Sequence, residues 1–106
     1  MAKYLLKVSY TVEGTKGLLK EGGSSRRAAA EQAVQSLGGN LDSFYFAFGE
    51  PDGYAIVDLP DAAAATALSL TINSTGAVQI STIALITPEE MDEACKKSAT
   101  YRAPGT

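Results

Sequence analysis

The sequence predicts an α+β fold: a four-stranded antiparallel sheet in the order β-α-β-β-α-β, with one helix added at the C-terminus. Three observations carry this expectation. Four short stretches place apolar residues with the period of a strand. The middle two are separated by Pro51-Asp52-Gly53, a strong turn signal. The other two gaps hold apolar residues at helical spacing. At 106 residues there is room for one domain with one modest core, assigned to residues 1–98, with residues 99–106 as a tail.

Each element has a local reason. From Lys3 to Tyr10, Tyr4, Leu6, Val8 and Tyr10 face one way, and Leu5, Lys7 and Ser9 the other. Glu13 to Glu21 supports only a short helical turn, because Gly14 and Gly17 weaken it. Ser24 or Ser25 then caps a longer helix reaching about Leu37, striped by Ala30, Ala33, Val34 and Leu37 and ended by Gly38-Gly39. Leu41 to Phe48 is a second strand with Phe44, Phe46 and Phe48 on one face, and Tyr54 to Leu59 is the third. Asp61 caps a helix striped by Ala64, Leu68 and Ile72 and ended by Gly76. Ala77 to Ile86 is the fourth strand. Thr87-Pro88-Glu89-Glu90 is a capping box with proline at the first helical position, opening a helix to about Ser98.

That order is the arrangement of a ferredoxin-like sandwich, whose helices cover one face of the sheet. The strands nevertheless carry apolar residues on both faces: Tyr54 and Ile56 oppose Ala55, Val57 and Leu59, while Ile83 and Leu85 oppose Val78, Ile80 and Ile86. A sheet with one wet face alternates more cleanly. A second copy packed face to face is the simplest cover. Burying roughly 600 Å² of apolar surface per partner would contribute about 15 kcal/mol gross at about 25 cal/mol/Å². The expected assembly is therefore a homodimer closing a dimeric α/β barrel, with higher oligomers left open.

Composition excludes several function classes. The hydrophobic fraction of 45% with 20% charged residues is that of a globular chain. A net charge of -3 with scattered Lys and Arg argues against a nucleic-acid binder. The absence of histidine removes His-ligated metal or haem sites and His-activated nucleophiles, so neither a metal nor a cofactor is expected. A lone cysteine, Cys95, allows no internal disulfide; the N-terminus has no signal-peptide pattern and no run spans a membrane. A cytoplasmic protein is the expectation.

The residues Lys7-Val-Ser-Tyr-Thr, Arg26-Arg27, Leu37-Gly38-Gly39, Tyr45-Phe-Ala-Phe-Gly49, Ile56-Val-Asp-Leu-Pro-Asp61 and Leu85-Ile-Thr-Pro-Glu-Glu90 together resemble the GYD domain. That family lies within the dimeric α/β-barrel superfamily. The resemblance covers nearly the whole chain and implies the fold and the dimer, but no settled reaction. The signature itself is altered: Ala55 follows Gly53-Tyr54, and an aspartate, Asp52, stands before them instead.

In this topology Tyr10 to Glu13, Gly22 to Arg27 and the turn from Gly49 to Tyr54 gather at one end of the sheet, with Tyr10 and Tyr54 expected as neighbours. Ser24, Ser25, Arg26 and Arg27 at a helix start suggest an anion cradle; a plain helix start, with the arginines paired to Glu21 or Glu31, is the alternative. Tyr10, Phe44, Phe46, Phe48 and Tyr54 suit either a ligand pocket or ordinary core. Asp58, in an apolar strand, is a candidate acid or base, or else a strand-end partner of Lys3 or Lys7. Cys95 reads as a small buried hydrophobe. Three functions follow: a dimeric binder of a small apolar or anionic molecule, a cofactor-independent oxygenase or isomerase, or an interaction module without ligand.

Overall fold

The computed structural model describes residues 1–47 and 49–106; Phe48, expected at the end of the second strand, lies outside the described residues. The elements are β1 (Ala2–Tyr10), α1 (Val12–Glu21), α2 (Gly23–Ser36), β2 (Asn40–Phe46), β3 (Gly53–Leu59), α3 (Ala62–Asn73), β4 (Val78–Leu85) and α4 (Pro88–Lys96). The four strands form one antiparallel sheet in the order β2-β3-β1-β4. This is the ferredoxin-like arrangement, with the first crossover made of two helices instead of one.

The extra helix corrects the reading of residues 13–21 as a weak turn. Thr11 caps α1, its hydroxyl accepting from the Gly14 amide at 3.2 Å. The same residue ties the helix to the sheet edge: its amide donates to the Ala77 carbonyl at 3.0 Å and its hydroxyl to the Gly76 carbonyl at 2.9 Å. Gly14 is buried where the chain passes Ala77, and a β-carbon there would collide with the Ala77 carbonyl oxygen. Close approach, more than propensity, explains that glycine. The second correction concerns α2, which starts two or three residues earlier than Ser24 or Ser25 would allow as caps. Its N-cap is Gly22, at φ 85°, and no side chain caps it. Only glycine takes that left-handed geometry cheaply, and it lets α1 end and α2 begin across a single residue.

The core lies between the sheet's inner face and the helices. Tyr4, Leu6 and Val8 of β1, Ala55, Val57 and Leu59 of β3, and Val78 and Ile80 of β4 are buried against Val34 of α2 and Ala65 and Leu68 of α3. Asp61 caps α3 as expected, accepting from the Ala64 amide at 2.8 Å. At its other end Asn73 grips β4, accepting from the Ile80 amide at 2.7 Å and donating to the Ile80 carbonyl at 3.3 Å.

The outer face is less apolar than the strand pattern suggested. Its side chains fall in cross-strand rows. Ser43, Ile56, Leu5 and Ile83 form the middle row; Tyr45, Tyr54, Lys7 and Ser81 lie on one side, and Asn40, Asp58, Lys3 and Leu85 on the other. An apolar belt therefore runs between two mixed rows. Beyond β4, the expected capping box of α4 is complete, with Thr87 and Glu90 exchanging two hydrogen bonds of 3.0 Å. Every residue from Ile86 to Thr106 is exposed, including Cys95, which corrects its reading as a buried hydrophobe. The radius of gyration, 16.8 Å, exceeds the value of about 13 Å for a compact chain of this length.

The two interior glycines of α1 give opposite expectations. Gly17→Ala, with nothing within 4 Å of the new methyl, should stabilise the protein by about 0.5–1 kcal/mol. Gly14→Ala should destabilise it by about 1–3 kcal/mol, through the clash with Ala77. Urea unfolding of both variants checks this: equal shifts of the same sign would show that Gly14 is not held against the sheet.

Candidate functional site

α2 is built mostly from small residues on the side that meets the sheet. Ala29, Ala30 and Ala33 face Leu6, Val8, Ala55 and Val57, while Leu68 and Ile72 of α3 close the far side. Small against medium side chains leaves space, and the result is a cavity of about 140 Å³ between α2, α3 and the sheet. Phe44 lines one wall, and the only ionisable side chains among the described lining residues are Tyr10 and Arg26. Both also line the neighbouring groove beneath α1, so they stand at the passage between cavity and surface.

The gathering of three segments at this end of the sheet is present. The Tyr10 amide, beyond the last β1–β3 pair, donates to the Asp52 carboxylate at 2.8 Å, while the Asp52 amide donates to the Val8 carbonyl at 2.8 Å. Asp52 thus pins the β2–β3 turn to the end of β1. The Phe46 ring stacks near Tyr10, with centroids 6.4 Å apart, and meets Phe44 edge-on at 5.1 Å. Its other side reaches Gly23, where a β-carbon would come within 3.0 Å of the ring. Tyr10, Phe46, the start of α2 and Asp52 therefore form one continuous rim.

Other expected members lie elsewhere. Tyr54 pairs with Lys7 and Tyr45 on the outer face, so it is not a neighbour of Tyr10, which follows the inner-face parity of Tyr4, Leu6 and Val8. Ser24, Ser25 and Arg27 are exposed on the first turns of α2 and do not line the cavity. Arg26 does, and its side chain is 32% exposed; its guanidinium is answered by Glu21 at 3.3 Å, the last residue of α1. No Arg27–Glu31 pair forms among the described residues. Of the alanines of α2, the sequence stripe contains only Ala30 and Ala33, and Ala29 adds a third small side chain to the cavity wall. Their number on one face was the signal for a cavity.

A family model for the GYD domain matches residues 4–95, nearly the whole chain, and the chain belongs to that family. The curated proteins and the solved structures each yield no match. No helix of the described residues is long and apolar enough to cross a membrane.

Asp58 sits on the outer face, away from the cavity, and pairs with Lys3 at 3.0 Å; Asp42 reaches the same ammonium at 3.2 Å. Hydrogen bonds from Lys3 to Asp58, and then to Asp42, hold its pKa above the ordinary 10.5. A cation with a raised folded pKa adds stability that is complete below its unfolded value and lost as pH rises through the folded one. The urea midpoint should therefore fall as pH passes above about 10.5, and Lys3→Met should flatten that fall. Parallel curves for both proteins across that range would exclude the pairing.

Proposed function

We propose that this GYD-domain protein is a small-molecule binder, taking an aromatic or compact aliphatic group into the cavity between α2 and the sheet, with any carboxylate of the ligand meeting Arg26. The observation that carries this reading is the cavity itself. It is lined by apolar side chains of the sheet, α2 and α3, and it opens to the surface beside Tyr10 and Arg26; a concave apolar site with a few polar groups at its mouth is the kind that takes a small molecule. An apolar space of about 150 Å³ is also large enough to hold a benzene ring. The lining favours binding over proton transfer, because Tyr10 and Arg26 are its only ionisable groups among the described residues.

Arg26 remains available to a ligand although it is paired. Its bond to Glu21 joins two part-exposed side chains, 32% and 41% accessible, and such pairs are worth about 0–1 kcal/mol. A ligand carboxylate delivered by an apolar anchor can replace Glu21 at little cost. Ser24, Ser25 and Arg27 surround the same helix start and would act on an anion only at longer range.

The outer face supports self-association. Leu5, Ile56 and Leu85 are already part-buried and Ile83 is 40% exposed, so covering what remains of the four would yield only about 2–4 kcal/mol gross, about a third of the roughly 1.5–3 kcal/mol each that full burial brings. Association itself costs on the order of 4–15 kcal/mol, and the Lys3–Asp58–Asp42 cluster must keep its water. A homodimer through this face is therefore weak unless a further contact adds to it.

Calorimetric titration with phenylacetate and with toluene tests the cavity. Both should bind. Ala33→Leu should lower both affinities at least tenfold without lowering the urea midpoint. Arg26→Ala should weaken phenylacetate about five- to tenfold, equivalent to roughly 1 kcal/mol, and leave toluene unchanged. Failure of both ligands at millimolar concentration would sink the reading. For the outer face, Ile83→Lys should weaken a wild-type dimer at least tenfold in sedimentation equilibrium, and a wild-type monomer at micromolar concentration would remove that interface.

A further inference from the structure

From Ala62 to Pro88 the chain carries no charged residue. That stretch makes the whole of α3 and β4, which pack side by side, and β4 is an edge strand. Two ordinary features of a water-facing surface are missing there. A helix with one face in solvent normally carries charges on it. A free edge strand is normally guarded by lysine, proline or a bulge. On α3, instead, Ala62, Ala63, Thr66 and Leu70 are exposed, Leu70 at 67%. Between α3 and β4 runs a groove lined by Ala65, Thr66, Ser69, Thr82 and Ala84, small residues that permit close approach, with Tyr4 beside them. Thr82 Oγ1 is buried at this groove without a partner among the described residues.

The same chain holds a surface of matching character. α4 places Met91, Ala94 and Cys95 on one side, with Ile86 just before its cap, and Glu89, Asp92, Glu93 and Lys96 on the other. None of it is buried. A helix of 9 residues is too short to persist in water on its caps alone. Docked along α3 and β4, it would cover the uncharged side and turn its own charged face outward, restoring a normal surface. Its own groove is not the destination. Ile86 and Thr87 are the only connector, and every residue of α4 beyond them is exposed, so the helix lies clear of the groove of its own chain.

We propose that α4 is an exchange arm: each chain lays the Ile86–Met91–Cys95 stripe of α4 into the α3–β4 groove of a second copy. A nine-residue helix is about 14 Å long and covers roughly 300–400 Å². With two-fold symmetry each partner contributes one arm and one groove, which brings the contact close to the ~800 Å² per partner of a stable interface. This surface is distinct from the outer sheet face and independent of the ligand cavity, so either of those readings can fail without it.

Cys95, the sole thiol, makes the test direct. Wild-type chains, bearing Cys95 on α4, are mixed with full-length chains carrying Ser69→Cys and Cys95→Ser, whose only thiol lies in the groove. Under mild oxidation the mixture should form covalent dimer at least tenfold faster than either chain alone, and Met91→Asp in the wild-type chain should slow it at least tenfold. In sedimentation equilibrium, Met91→Asp should weaken the native assembly at least tenfold. Covalent dimer no faster in the mixture than in the separate chains overturns the exchange. So does a ring closed only within one chain when both thiols are placed on it, which would mean that α4 folds back on its own groove. An assembly broken by Ile83→Lys but untouched by Met91→Asp also overturns it, leaving the outer face as the contact.

Discussion

The antiparallel register between β1 and β3 is the constraint from which the other features follow. It sets Val8 against Gly53 and Leu6 against Ala55, and so decides which side chains enter the core. A shift of one residue would send every inner side chain to the outer face. Asp52 prevents that slip. Its carboxylate takes the Tyr10 amide and its own amide binds the Val8 carbonyl, closing the end of the ladder from both sides. The aspartate before Gly53-Tyr54 therefore holds the rim of the cavity in place without lining the cavity itself.

On that frame the helices differ in what they do. α3 brings Ala65 and Leu68 to the core and is clamped by Asn73, so it is the firm lid. α2 contributes one fully buried large side chain, Val34, and otherwise alanines, which leaves a space beneath it. α1 closes the open end through Thr11 and Gly14, and its last residue neutralises Arg26. The two arginines that begin α2 are thus unequal. One stands at the passage to the cavity with an exchangeable glutamate, and the other faces solvent.

Much of the fold was legible because its signals are local. Asp61 and Thr87 cap the helices their spacing announces, and Pro51-Asp52-Gly53 turns the chain as expected. The site was legible in part. Tyr10 and Arg26 share the cavity and Phe46 stacks near Tyr10, since topology alone brings the end of β1, the start of α2 and the end of β2 together. Tyr54 lies on the outer face, where strand parity puts it, and so does Asp58, which takes the alternative of its two readings by pairing with Lys3. Helix α1 was underrated because the weakness of its glycines is a local fact, while the contact that requires Gly14 lies more than sixty residues away in the chain.

By itself the sequence determined the order of the strands, the starts of α3 and α4 and the two-faced strands, because caps, turns and period-two alternation act over a few residues. Tertiary structure decided the cavity, the partner of Arg26 and the isolation of α4. A cavity is a difference in volume between surfaces that meet from distant segments, and no single segment carries it. The partner of Arg26 depends on Gly22 bringing the end of α1 against the start of α2. The exposure of α4 depends on the direction in which β4 releases the chain, which only the assembled sheet defines.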